Sequence, residues 1–378
     1  MRFAPFGNTG VNVSALGFGA MRLPMKKGHV VEELSFDMIR RAYAAGINYF
    51  DTGSIYCNGE SEKTLGAAVK GMDRSKIYLS TKYPADKPSY DELMQKFESS
   101  LRIMDESYID FYHLWGIGLK SFREQLEPGP LRAALRLKDE GLIKHLSFSF
   151  HSDPSDLIPL IDTGYFETVL CQYNLLDRRN EAGMRHAASK GVGVAIMGPI
   201  GGGRLGGPSR VFREMLGKTP VSTPELALRF VLANPSVTMA LSGMSTMQQL
   251  EENLKTASSP VLLDDAEKVR VEVALQENQK LADLYCTGCK YCLPCPHDVN
   301  IPYVFELVNY HRVFDIPGAA LSGYRELTEG VPWLQGKNAS FCETCGECES
   351  KCPQKIEIVE KLKEAHALLS RKYASKSA

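Results

Sequence analysis

The sequence predicts an α/β chain: a (β/α)8 TIM barrel followed by a small, mostly helical, cysteine-rich domain. Three observations predict it. Over residues 1–258, short β-rich runs alternate with amphipathic stretches, eight of each, at roughly thirty-residue spacing. The β-rich runs are nearly continuous in apolar residues, as parallel strands covered on both faces should be. Of ten cysteines in 378 residues, eight fall between Cys286 and Cys352. Eight strands exceed what an open doubly wound sheet needs and suit a closed barrel.

The strands are expected at Ala15–Phe18, Ile47–Asp51, Ile77–Lys82, Ile109–Leu114, His145–Ser149, Thr168–Tyr173, Val192–Met197 and Val237–Leu241. Between them, helical spacing covers Leu34–Ala44, Glu62–Val69, Tyr90–Ile103, Leu131–Lys138, Asp156–Ile161, Glu181–Ser189, Pro224–Leu232 and Met247–Lys255. A connecting helix within 259–282, over Val261–Leu281 after Pro260, leads to the cysteine-rich domain at 283–360. That domain holds one helical segment, Tyr303–Phe314, then a Gly/Pro-containing stretch to Gln335. The charged tail, 361–378, is expected to fray.

With 44 basic and 45 acidic side chains the chain has no surplus cation for a polyanion, so no nucleic-acid partner is expected. No uninterrupted apolar run is long enough for a membrane span. The opening MRFAPFGNTG lacks the basic and apolar regions of a signal peptide, and a cytoplasmic location is expected. Cysteines clustered in such a chain point to metal rather than to disulfides.

The first group is Cys286-Thr-Gly-Cys289-Lys-Tyr-Cys292-Leu-Pro-Cys295-Pro296, the second Cys342-Glu-Thr-Cys345-Gly-Glu-Cys348-Glu-Ser-Lys-Cys352-Pro353. Three cysteines at two-residue gaps let one tight loop bind three corners of an iron–sulfur cubane. Structural zinc, the alternative, needs two cysteine pairs separated by a long loop rather than four crowded cysteines. This region resembles a bacterial-type two-cluster ferredoxin domain. The resemblance implies two [4Fe–4S] clusters with the fourth ligand exchanged: Cys286, Cys289, Cys292 and Cys352 on one, Cys342, Cys345, Cys348 and Cys295 on the other. The first group is one residue short before Cys295, which puts the geometry there in question.

In the barrel, Asp51 ends the second strand, Tyr56 follows it, and Lys82 ends the third. Barrel strands end at the mouth where catalytic groups gather. A Lys held by a carboxylate beside a Tyr makes a proton donor, because the ammonium favours phenolate. Such a phenol protonates a carbonyl oxygen as hydride reaches carbon, or takes the proton in reverse.

Asp51-Thr-Gly-Ser-Ile-Tyr56, Gly59-Glu-Ser-Glu62, Ser80-Thr-Lys82, the opening Gly7–Gly19 and Gly243-Met-Ser-Thr-Met-Gln-Gln-Leu-Glu-Glu-Asn253 together resemble the aldo-keto reductases. The whole chain resembles a subgroup carrying a C-terminal two-cluster ferredoxin domain. The resemblance implies a carbonyl or alcohol substrate, NAD(P)H, and nucleotide contacts from Ser149, Gln172, Gly243, Gln249 and Asn253.

Several positions depart from the family. Where its catalytic His is expected stands Trp115. His113 lies two residues earlier, on the same strand face but deeper, and serves if the strand bulges there; otherwise it is a core residue. His151 is a second candidate. Phe150 and Leu170 stand at amide-contact positions and cannot hydrogen-bond. Gly243 and Gln249 replace the basic residues that hold a 2′-phosphate, which argues against strong NADPH preference. Gly201, Gly202 and Gly203, with Arg204, form a run able to approach a diphosphate, or else a plain barrel loop.

Two function classes follow: an oxidoreductase wired to clusters, with ferredoxin or another redox protein as partner, or an electron-transfer or sensor protein using the barrel as scaffold. An enzyme with purely structural clusters is a third reading. Hydride carries two electrons and a cubane one, so direct coupling needs a switch such as a flavin, for which no motif is readable.

Overall fold

The computed structural model describes residues 1–84, 89–127, 129–217, 221–283, 286, 288–331, 334–352 and 354–371. Its contacts divide the chain into two units, 1–201 with 227–263, and 202–226 with 264–378.

In the first unit eight parallel strands close into a barrel in sequence order. They are β1 (Leu16–Gly19), β2 (Tyr49–Asp51), β3 (Tyr78–Pro84), β4 (Ile109–Ile117), β5 (Ile143–Phe150), β6 (Thr168–Gln172), β7 (Gly193–Met197) and β8 (Met239–Gly243). Around them run α1 (Glu32–Ala44), α2 (Ser61–Ala68), α3 (Tyr90–Met104), α4 (Pro130–Asp139), α5 (Leu157–Asp162), α6 (Glu181–Ser189), α7 (Thr223–Ala233), which crosses the unit boundary, and α8 (Met247–Ala257).

Side chains alternate along each strand. Phe50, Leu79, Leu114, Phe148, Phe150, Val169 and Ile196 belong to the large buried core that the helices cover. The inward set of Tyr49, Phe111, Leu170, Ala195, Met239 and Leu241 packs with Phe6, which a hairpin of Phe3–Pro5 and Asn12–Ser14 carries into the barrel. The Phe6 ring lies 5.2 Å from Phe111 and 5.8 Å from Tyr49. A Cβ on Gly193 would stand 2.4 Å from that ring, so the plug requires glycine there.

The second strand is shorter than expected because Asn48 serves the hairpin: its side chain accepts from Ser14 N at 2.8 Å and donates to Asn12 O at 2.9 Å. The fourth is longer. Gly116, at φ +73°, allows a register shift between Trp115 and Ile117, and pairing resumes at Ile117.

The second unit contains α9 (Asp265–Asp283), α10 (Ile301–Arg312), α11 (Pro317–Glu329) and α12 (Ile358–Leu369). Two elements correct the sequence expectation. The stretch to Gln335 contains a thirteen-residue helix, α11. Its Pro317 is a helix start rather than a breaker, and Gly323 permits close packing, since a Cβ there would meet a Leu307 methyl at 2.6 Å. The tail begins as α12, whose Ile358, Leu362, Ala365 and Leu369 are buried along one stripe; residues 372–378, like Pro353, lie outside the described residues.

Residues 202–226 leave the barrel after β7 and pack in the second unit, unlike the linear division expected at 258. Ser209 Oγ donates to Phe314 O at 2.8 Å, and Phe212 stacks on Phe314 with ring centres 6.0 Å apart. Among the described residues no helix is long and apolar enough to cross a membrane.

Candidate active site and cysteine cavities

Asp51, Tyr56 and Lys82 come together at the C-terminal ends of β2 and β3. Lys82 Nζ donates to both Asp51 oxygens at 2.7 Å and to Thr52 O at 2.8 Å. Ser80, paired with Asp51 across the sheet, also donates to Asp51 Oδ1 at 2.7 Å. Asp51 and Lys82 are 2% and 1% exposed, so this ion pair is fully desolvated and each member depends on the other. Burial opposes the charge on Lys82, but Asp51 and Tyr56 outweigh it and its pKa is raised.

Tyr56 is half-buried, with Lys82 Nζ 4.8 Å from its ring centre. Burial raises its pKa, Lys82 lowers it and Asp51 raises it; the net shift is upward. The expected pull of the ammonium is present but does not win, so the phenol keeps its proton. Trp115 stands edge-on to Tyr56 at 5.6 Å.

His113 is paired with Lys82 and with Ser147 across the sheet. The bulge of β4 falls beyond it, so it stays deep: 1% exposed, Nε2 3.3 Å from the Tyr49 hydroxyl and 3.8 Å from Asp51 Oδ1. Burial, with Lys82, holds its imidazole far below the usual range, hence neutral. His151 is exposed, its Nε2 3.0 Å from Ser149 Oγ and its ring 6.4 Å from Trp115. Crowding by the protein and the charge of Lys82 lower its pKa too. Of the two candidate histidines, only His151 stands with Trp115.

Ser149, next to last in β5, lies on the inward face opposite Leu170, and Gln172 ends β6 on the face of Leu170. Phe150 is turned out into the helix-covered core, and Leu170 lies among the plug residues. Beyond β8, Gln249 Oε1 accepts from Ser245 N at 2.8 Å, and Asn253 Nδ2 donates to Ser242 Oγ at 3.2 Å. One residue escaped the sequence reading. Arg22 lies beside Gly243, where a Cβ would meet its side chain at 3.1 Å, and its carbonyl accepts from Ser245 Oγ at 2.8 Å. The signal available was the pairing of β1 with β8, which brings Gly19 opposite Gly243. Gly201 closes the first unit, whereas Gly202, Gly203 and Arg204 belong to the second. Arg204 sits 5.7 Å over the Tyr310 ring and hydrogen-bonds Tyr303.

The eight cysteines line two cavities in the second unit. One is walled by Cys286, Cys289, Cys292 and Cys352, the other by Cys295, Cys342, Cys345 and Cys348. Cys295 reaches the second cavity despite the shortened spacing before it. Burial pushes both Cys292 and Cys348 up to about 11, with neighbouring thiols adding at Cys292 and Glu349 with neighbouring thiols at Cys348. Such thiols ionise when iron compensates their charge. Among the described residues no three His, Cys, Asp or Glu side chains close on a single metal position. Four thiols spread around a void fit a cubane better than one zinc ion.

A chain that combines a barrel with this mouth and a domain with two four-cysteine cavities is an iron–sulfur oxidoreductase in class. The aldo/keto reductase family profile matches residues 15–272, and a 4Fe-4S dicluster domain matches 285–357. The chain belongs to the aldo/keto reductase family and carries a C-terminal 4Fe-4S dicluster domain. It is 30% identical over 275 residues to L-galactose dehydrogenase of Arabidopsis thaliana, covering 66% of this chain and 85% of that one. It is 22% identical over 317 residues to the NADH-specific methylglyoxal reductase of Escherichia coli (strain K12), covering 71% and 96%. The holo form of aldo-keto reductase AKR11C1 from Bacillus halodurans superposes with a TM-score of 0.63 at 27% identity, over 72% of this chain and 96% of that one.

Proposed function

We propose that the barrel reduces a small carbonyl compound, or oxidises the corresponding alcohol, with Tyr56 moving the proton, and that the cysteines hold two [4Fe–4S] clusters serving one-electron exchange with ferredoxin or another redox protein. The observation that carries this reading is the buried Asp51–Lys82 pair beside a still-protonated Tyr56. A nicotinamide, when bound, supplies hydride. The chain's own residues do the rest. Asp51 fixes the Lys82 ammonium, Lys82 orients and polarises the phenol, and Tyr56 donates to the carbonyl oxygen. Trp115 and His151 flank the site, with Met21 and Ile55 exposed on the neighbouring loops. Ser149 and Gln172 remain as amide partners, since Phe150 and Leu170 point elsewhere. The engagement of Arg204 with Tyr303 and Tyr310 lends no support to a flavin phosphate there. Free thiols kept for iron suit a reducing, cytoplasmic setting.

The test is anaerobically purified protein with its clusters verified, assayed for NADH oxidation against aldehydes, dicarbonyls and sugars. Carbonyl-dependent oxidation of nucleotide is expected; its absence across the panel, with clusters intact, would favour the electron-transfer scaffold.

NADH should bind at least as tightly as NADPH, because Gly243 and Gln249 offer no cation to a 2′-phosphate. The name of the Escherichia coli relative agrees. Arg22 is the residue able to upset this expectation. A titration showing NADPH tenfold tighter, about 1.4 kcal/mol, would refute it, and Arg22→Ala would then abolish the difference.

A further inference from the structure

The two cysteine cavities are lined by exposed residues of opposite charge. The first is walled by Lys290, with Gln354 and otherwise apolar residues; the second is walled by Glu343, with His297. The residues beside one cysteine of each cavity repeat the asymmetry. Lys351 and Lys355 bracket Cys352, a wall residue of the first cavity, whereas Glu347 and Glu349 bracket Cys348 in the second. Glu349 folds back, its carboxylate accepting from the backbone of Val359, which lines that cavity, at 2.9 Å. In the first group, Gly288 N donates to Cys286 Sγ at 3.4 Å. Charges of the opposite sense also stand in the sequence: Glu357 lies between the first cavity's Ile356 and Ile358, Lys361 and Lys363 bracket the second cavity's Leu362, and Lys337 lies 5.0 Å from the Phe341 ring without lining the second cavity. Buried Ile301 lines both cavities.

Adding an electron to a cluster adds one negative charge. A nearby cation or an N–H donor to sulfur favours that charge, and a carboxylate disfavours it. We propose that Lys290 and Glu343 set unequal potentials at the two sites, so that a single electron entering the unit rests at the Lys290 side and crosses past Ile301 to reach it. The proposal rests on the two-cluster ligation above. One electron from a one-electron reductant reduces one cluster by one unit; no bond is made or broken.

The experiment is a dithionite titration of the whole holoprotein at about pH 8.5, where ordinary imidazoles are neutral, followed by electron paramagnetic resonance and compared among wild type, Lys290→Gln and Glu343→Gln. Iron is assayed first; wild type without about eight irons per chain sinks the ligation reading itself, a failure distinct from that of the ordering. With clusters present, Lys290→Gln should lower the upper midpoint and leave the lower one, while Glu343→Gln should raise the lower and leave the upper. The charge reversals Lys290→Glu and Glu343→Lys should enlarge both shifts. Wild type should favour the upper site at least tenfold, about 59 mV for one electron. If Lys290→Gln moves the lower midpoint, or if neither variant moves its assigned one, the ordering is wrong. A variant that loses iron is replaced by its charge reversal, and the same criterion applies.

Discussion

Replacing Tyr56 with Phe should cut carbonyl reduction by roughly 10²–10⁴-fold while leaving the fold nearly unchanged. The half-buried ring keeps its contact with Trp115 and loses only the hydroxyl. Lys82→Met should also cut the rate, because the phenol then loses the ammonium that favours its ionisation and orients it. That variant carries a separate liability: Asp51 would remain buried without its cation, at a cost of about 3–5 kcal/mol. Its stability must therefore be measured beside its rate. The two losses should not add, since both disable one proton-donating unit. The pH profile offers an independent check. Reduction requires the protonated phenol, and its pKa lies above the ordinary value, so kcat/KM should stay flat from about pH 6 to 9 and fall only above. His113 and His151, both lowered, stay neutral over that range and add no limb. Steady-state rates for wild type, both single variants and the double variant, at equal cluster content, decide the matter. Unchanged turnover in Tyr56→Phe would end the proposed mechanism and leave the barrel as a carrier for the clusters.

The barrel was legible because its strands are buried on both faces, which makes them continuous apolar runs, and eight such runs in series allow few alternatives. Asp51 and Lys82 were legible for a related reason: a charged residue ending an apolar run at a barrel mouth has little structural excuse. What the sequence hid is tertiary. Whether His113 reaches the mouth depends on where β4 bulges, and Gly116 places that bulge beyond Trp115. Arg22 meets Gly243 only because β8 closes on β1, a pairing of residues far apart in the chain. The net rise in the Tyr56 pKa is a contest between burial and Lys82, and spacing along a chain carries no measure of burial. Pro317 and Gly323 look like loop residues, yet one starts a helix and the other lets two helices touch. Residues 202–226 mislead most, because nothing local marks a barrel loop that packs with Phe314.

Cys352→Ser should cost the protein the cluster of the first cysteine group and spare that of the second. The expectation runs against proximity in sequence, since Cys352 directly follows Cys342, Cys345 and Cys348. It follows from the cavities: Cys352 shares a wall with Cys286, Cys289 and Cys292, while Cys295 closes the other with the second group's loop. Iron should fall from about eight to about four per chain, and Cys295→Ser should remove the complementary half. Small metal domains often fold only with their metal, so loss of all iron in one variant would report unfolding rather than wiring. The reciprocal pair separates these outcomes. If α10, α11 and α12, which bury Val304, Leu307, Tyr324, Leu362 and Ala365, hold the unit together, each variant keeps four irons and a distinct spectrum. Should Cys352→Ser instead keep the first group's cluster and lose the second's, each loop would be binding its own four cysteines and the exchange of the fourth ligand would be wrong. The potentials assigned to Lys290 and Glu343 would then have to be reconsidered too, because Lys351 and Lys355 would flank the other cluster.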